Sequence, residues 1–153
     1  MILIAQISIN TDRNKYIDYL IRQMVDVEDL EKICQKIIKL DPKMRSARII
    51  NSRGHLVSGR MKEWLLSLEN QKQDEMMFME LSLRVRMRHE FDNEFGKVHF
   101  SMSYRDKVIV MSFPLNNDDV MLISCKKETD FGKLSFKILK IIEPLKKTLM
   151  KTF

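Results

Sequence analysis

Ser46-Ala-Arg-Ile-Ile-Asn-Ser-Arg-Gly-His-Leu-Val-Ser-Gly-Arg-Met61 reads as a strand, a tight turn and a second strand. Ser46–Asn51 and His55–Gly59 carry the strand composition. Asn51-Ser52-Arg53-Gly54 supplies the turn chemistry, with Gly54 able to take a positive φ at no steric cost. Helical patterns flank this hairpin and three more strands follow it. That order of elements carries most of the fold information in the chain.

Upstream, Asp26 to Leu40 is predicted as a helix. Leu30, Ile33, Cys34, Ile37 and Ile38 fall on one face at the 3,4 spacing of an amphipathic helix. Asp26 or Asp29 favours its N-terminus, and Asp41-Pro42 stops it. Residues 1–23 differ. The run Met1–Ile9 alternates without a clear polar face, and Lys15–Gln23 fits a short helix. The compact domain is expected to span residues 24–153, with 1–23 as an N-terminal extension or accessory element.

Downstream, Trp64, Leu65, Leu66 and Leu68 suggest a helical turn or a packed loop. Asp74 to Phe95 is the longest predicted helix, and it has two apolar stripes. Met76, Met79, Leu83, Met87 and Phe91 lie on one side, expected to bury against a sheet. Phe78, Leu81 and Val85 lie opposite, beside Ser82 and His89, and need another partner, either a neighbouring element of the same chain or another chain. The methionines are assigned mainly to core packing. Gly96 ends the helix. Val98–Tyr104 alternates apolar and polar as a half-exposed or edge strand does. Arg105-Asp106 connects it to Lys107–Phe113, and Asn116–Asp119 turns into Val120–Cys125. Both later strands are apolar on both faces and so need cover on both. Asp130 caps a last helix whose apolar stripe runs from Phe131 to Leu149. Lysines lie opposite that stripe, and Pro144 is expected to kink the helix.

These elements assemble as an α+β fold. The sheet has five antiparallel strands, with the first and last helices on one face and the long middle helix on the other.

The 153 residues suffice for one domain with a sizeable core. A 44% apolar and 31% charged composition excludes a disordered chain. No apolar run reaches the ~18 residues of a membrane span. The apolar start has no basic flank or small-residue cleavage site, so a cytoplasmic location is the expectation. Cys34 and Cys125 are far apart, without a CxxC spacing, and read as buried free thiols rather than a disulfide or metal site. His55, His89 and His99 are scattered over a turn, a helix and a strand. There is no GxSxG, P-loop or GxGxxG sequence. No catalytic residue, metal site or cofactor is predicted.

The net charge of +6 leaves cationic clusters to weigh. Arg84 and Arg88 follow Glu80 at i+4 and i+8, which reads first as helix-surface ion pairing and second as an anion or partner contact. Lys133, Lys137 and Lys140 read first as a solvated face and second as a contact for phosphate or anionic lipid. Nucleic acid and anionic membrane are the less favoured partners, and the nucleic-acid case is weakened because no exposed aromatics that would stack bases are expected among these lysines.

With Ile49-Ile50-Asn51-Ser52-Arg53-Gly54-His55-Leu56-Val57 and this element order, residues 25–150 resemble the roadblock/LC7 family of the profilin-like folds. The chain also resembles a group of small uncharacterised archaeal proteins with a Gly-centred hairpin and a Met-rich middle helix. The resemblance implies a non-enzymatic homodimer that scaffolds or regulates another protein, such as a small GTPase or an adaptor complex. It further implies an interface on the middle helix and the strand after it. Here that means Phe78, Leu81, Ser82, Val85 and His89 with His99, Ser101 and Ser103. The rival is a PAS- or GAF-like sensor holding a small ligand between middle helix and sheet, with Tyr104, Arg84 or Arg88 in its lining. A basic nucleic-acid-associated protein is the third reading.

Overall fold

A computed structural model describes residues 13–17, 27–62 and 67–150. The expected boundary at Met24, most of the 1–23 segment and the turn at Trp64–Leu66 lie outside the described residues. So do the side chains of Leu145, Lys147 and Leu149.

Five strands form one antiparallel sheet: β1 (Met44–Ile50), β2 (Leu56–Met61), β3 (Ser101–Tyr104), β4 (Val108–Pro114) and β5 (Val120–Lys126). Their order is β2-β1-β5-β4-β3, so β5 pairs with β1 on one side and with β4 on the other. Helix α1 (27–38) and helix α4 (Phe131–Met150) cover one face. Cys34, Ile37, Leu134, Ile138 and Ile142 from these helices meet Ala47, Ile49, Met111, Phe113 and Ile123 from the sheet there. Helix α2 (Gln71–Arg88) covers the other face, where Phe78, Leu81 and Val85 meet Ile50, Val120 and Leu122. The expected architecture is the one observed. Alternation explains the split: Ile49 and Ile50 are neighbours in β1 yet belong to opposite cores.

Local chemistry sets the ends. Asn70 caps α2 in a reciprocal pair with Gln73: the Gln73 N–H donates to Asn70 Oδ1 at 2.9 Å, and the Asn70 N–H donates to Gln73 Oε1 at 3.0 Å. The helix expected to run to Phe95 instead stops at Arg88, passes through a 3-10 turn at His89–Phe91, and ends in the single turn α3 (Asp92–Phe95) before Gly96. Asp130 Oδ1 accepts the Lys133 N–H at 3.1 Å at the start of α4, which continues through Pro144. β3 is shorter than Val98–Tyr104, because only Ser101–Tyr104 pairs with β4.

The β1–β2 hairpin locks onto α2. Gly54 has φ 78, and a Cβ there would lie 3.1 Å from the Met79 Cα, so the turn needs glycine for conformation and for room. Ser82 Oγ donates to the Asn51 carbonyl at 3.1 Å. The hairpin therefore fixes where the middle helix lies on the sheet.

Candidate functional site

Helix α2 presents its stripes the opposite way round from the expectation. Phe78 and Val85 are 6% and 3% exposed against the sheet of their own chain, with Leu81 and Ser82 buried beside them. Met76, Met79, Leu83 and Met87 are 52–64% exposed. The interface assigned to Phe78, Leu81, Ser82 and Val85 is thus corrected: these side chains form the intrachain core, and the free apolar row is the methionine-rich one. The reason lies in what meets the helix from below. Ser82 reaches the hairpin carbonyl, and Phe78 sits over a buried arginine.

That arginine is Arg48 of β1, 6% exposed. Its Nη1 donates to Asp74 Oδ1 at 3.0 Å and its Nη2 to Glu69 Oε1 at 3.3 Å. Its guanidinium carbon stands 5.2 Å from the Phe78 ring centroid. One strand residue therefore holds the first turn of α2 and the segment before it. Burial raises the Asp74 carboxyl above its ordinary value, and the hydrogen bond with the Glu69 carboxyl adds to this, against the pull of Arg48.

The exposed row continues through Phe91 to Phe95, whose rings stack at 6.1 Å. The adjoining face of α2, with Glu80, Arg84 and Arg88, lines one cavity with Ser101, Met102 and Ser103 at the outer edge of the sheet. The Arg105 N–H donates to the Val108 carbonyl at 3.0 Å, which sets the ladder so that Met102 and Tyr104 turn their backbone groups outward. Among the described residues nothing hydrogen-bonds to those groups. The opposite edge is guarded. The outward N–H of Gly59 in β2 donates to the Glu31 carboxylate at 2.9 Å, alongside Ser58 Oγ at 2.6 Å and Arg60 Nη2 at 3.0 Å. These bonds, first Ser58 and then Gly59, hold the Glu31 carboxyl below its ordinary value.

The remaining predicted residues divide. Ser101 faces α2, accepts from Arg88 Nη1 at 2.8 Å and lies 2.8 Å from Ser112 Oγ. Burial, then Arg84, lowers Arg88. Arg84 pairs with Glu80 as expected. Ser103 lies on the same face as Ser101, over Val110. His89 bridges Asp92 at 2.9 Å and Asp118 at 2.7 Å, and these bonds raise its pKa. His99 lines the same cavity as His89, about 470 Å³ in volume. Lys133, Lys137 and Lys140 form an exposed row on α4. The expectation that no aromatics stand among these lysines is corrected too: Phe131, Phe136 and Tyr104 are all exposed there.

Cys34 and Cys125 are buried free thiols, with burial pushing Cys34 up to about 12 and Cys125 upward. Among the described residues no group of three or more His, Cys, Asp or Glu is arranged to hold a metal ion, and no helix is long and apolar enough to cross a membrane. Between α2 and the sheet lies a groove of about 530 Å³ lined by Arg48, Met76, Met77, Arg105, Val110 and Leu122, among others. Tyr104, expected near such a groove, packs on the other face against Phe131. Sequence reasoning missed Arg48. Its signal was a charge set within the apolar run Ala47, Ile49 and Ile50 of a central strand.

Residues 22–153 match the model of a family of unknown function, DUF6659. None of the curated proteins matches the chain. Among solved structures, a Roadblock/LC7 domain from Streptomyces avermitilis superposes with TM-score 0.61 at 14% identity, over 79% of this chain and 98% of that one. Myxococcus xanthus MglB gives 0.62 at 13% identity, over 80% and 96%. Schizosaccharomyces pombe profilin gives 0.52 at 12% identity, over 80% and 98%. At these identities the likeness is one of fold, and that fold is roadblock/LC7-like.

Proposed function

For a chain that belongs to the DUF6659 family and carries a roadblock/LC7-like fold, we propose a non-enzymatic homodimer that scaffolds or regulates another protein. The observation that supports this reading is a pair of unsatisfied surfaces. The exposed row Met76, Leu83, Met87 and Phe91 tops α2, and the open edge of β3 lies next to the flank of the same helix, where Glu80, Arg84 and Arg88 line one cavity with Ser101, Met102 and Ser103. Pairing β3 with its twin satisfies the outward backbone groups of Met102 and Tyr104 and places the two α2 helices side by side. Methionine's flexible thioether suits such a row to more than one packing partner. The partner protein, a small GTPase or an adaptor complex, docks on the joined helices. His89, His99, Ser101 and Ser103 stay in the proposed interface, joined by the exposed α2 row in place of Phe78, Leu81, Ser82 and Val85.

The test is the oligomeric state. Light scattering of the purified protein at micromolar concentration is expected to give a dimer. Leu83→Glu with Met87→Glu is expected to give a folded monomer. A monomeric wild type, or a double variant that remains dimeric, removes the reading.

A second reading, the small-ligand sensor, is favoured by the groove of about 530 Å³ under α2, a volume within the usual range of ligand pockets. A ligand there copurifies with the native protein or raises its thermal midpoint. Native mass spectrometry that finds only apo protein counts against it.

A further inference from the structure

A second surface, on the face of the sheet opposite α2, combines exposed rings with unpaired cations. Phe136 of α4 is 62% exposed and packs edge-to-face on Phe100 at 6.2 Å. Tyr104 at the end of β3 and Phe131 at the start of α4 meet at 6.3 Å and are also exposed. The lysines surround them. Lys133 and Lys140 stand at i−3 and i+4 from Phe136 and neighbour it on the helix surface, with Lys137 next in the chain. All three are exposed, and no ion pair to them is found among the described residues. Lys127 Nζ lies 5.3 Å from the Tyr104 centroid.

Two anionic partners fit aromatic rings in a cationic collar: single-stranded nucleic acid and an acidic lipid surface. Base stacking needs free ring faces. Here Tyr104 already carries a lysine over its face and Phe131 against it, and Phe136 is engaged by Phe100. A bilayer needs only apolar bulk that protrudes, with cations around it whose heads reach the phosphates. The cations on α4 are lysines, point charges without the planar fork that reads a phosphate or a base in two places. We infer that the ring pairs Tyr104–Phe131 and Phe100–Phe136, with the lysines beside them, dock this protein peripherally on an anionic membrane surface. The surface does not depend on dimerisation. A dimer joined through β3 presents two copies of it on one face, on either side of the seam.

The experiment is flotation of the full chain with vesicles of phosphatidylcholine alone and of phosphatidylcholine with about 30 mol % phosphatidylserine, in low and moderate salt. Binding is expected only to the acidic vesicles, falling as salt rises. Lys133→Glu, Lys137→Glu and Lys140→Glu together are expected to lower it roughly a hundredfold, at roughly fivefold for each lysine removed. Phe136→Ser is expected to lower it roughly tenfold, with the far-ultraviolet circular dichroism unchanged. No binding to either vesicle, equal binding to both, or acidic-vesicle binding that survives both sets of substitutions overturns the inference. Capture of a labelled oligonucleotide through these residues, without vesicle binding, also overturns it. Light scattering on the same samples reads the oligomer separately: a dimer that ignores acidic vesicles sinks only this inference, and a monomer that floats with them sinks only the dimer.

Discussion

Replacing Arg48 by Ala tests whether one buried side chain holds the middle helix to the sheet. The guanidinium is 7% exposed and its two carboxylate partners about a quarter exposed, at 25% for Asp74 and 26% for Glu69. Removing it deletes two charge-assisted hydrogen bonds and the contact with Phe78, and leaves two half-buried carboxylates without a counter-charge. Breaking a buried pair from one side costs about 3–5 kcal/mol, and the partial exposure of the acids places this case at about 3. Arg48 Nε is buried with no hydrogen-bond partner among the described residues, so the native arrangement already carries a desolvation cost. The triple change Arg48→Met, Glu69→Gln, Asp74→Asn removes all three charges and keeps the volume. It is expected to return to within about 1 kcal/mol of wild type. Urea unfolding followed by circular dichroism measures both, and hydrogen exchange locates the loss in residues 71–88. A loss under about 1 kcal/mol for Arg48→Ala, or a triple variant no better than the single one, refutes the argument.

Gly59→Ala places a Cβ 2.0 Å from the Ala47 carbonyl oxygen at φ 91, so β2 must shift; a loss of more than about 2 kcal/mol is expected in the same unfolding assay. Phe78→Glu and Leu83→Glu separate core from surface: the first is expected to unfold the domain, the second to keep its melting temperature within a few degrees while changing its association. Asp119 is pushed up to about 6 from 3.8, first by burial and next, in the opposite sense, by a backbone hydrogen bond from Ser52. A raised acid stabilises the fold below pH 3.8 and loses that contribution as pH rises through about 6. Asp119→Asn is therefore expected to gain about 1 kcal/mol over wild type at pH 8, after discounting for partial exposure, and nothing at pH 4. His89 is raised above 6.5, first by Asp92 and then by Asp118, so its contribution is complete below pH 6.5 and is lost as pH rises through the folded value. Amide exchange at Asn116–Asp118 should quicken across that window in wild type and show no such step in His89→Ala.

The element order, the hairpin turn, the Asp130 cap and the two-sided cover of β4 and β5 were legible because each rests on local chemistry or on a period of two or 3.6. The stripes of α2 were not. A helical wheel counted more apolar residues among Met76, Met79, Leu83, Met87 and Phe91 than among Phe78, Leu81 and Val85, and so favoured the wrong face for burial. What decided the matter was non-local: Ser82 finds a hairpin carbonyl 31 residues away, and Phe78 finds Arg48. A small polar residue between Leu81 and Val85 marks a close approach of helix to sheet, whereas long thioethers tolerate water. The aromatic cluster on α4 escaped for a similar reason. Phe131 and Phe136 look like core by composition, but only the placement of β3 shows that their rings stop at its margin.

The contact between Glu31 and β2 bears on stoichiometry. A sheet with two open edges is a monomer for polymerisation: each end recruits the next copy, and a filament grows. Here one carboxylate from α1 occupies the outward N–H of Gly59 and sets a charge on that edge. In the proposed dimer, pairing through β3 gives a closed two-body assembly, and the Glu31 carboxylate disfavours addition of a further strand at β2.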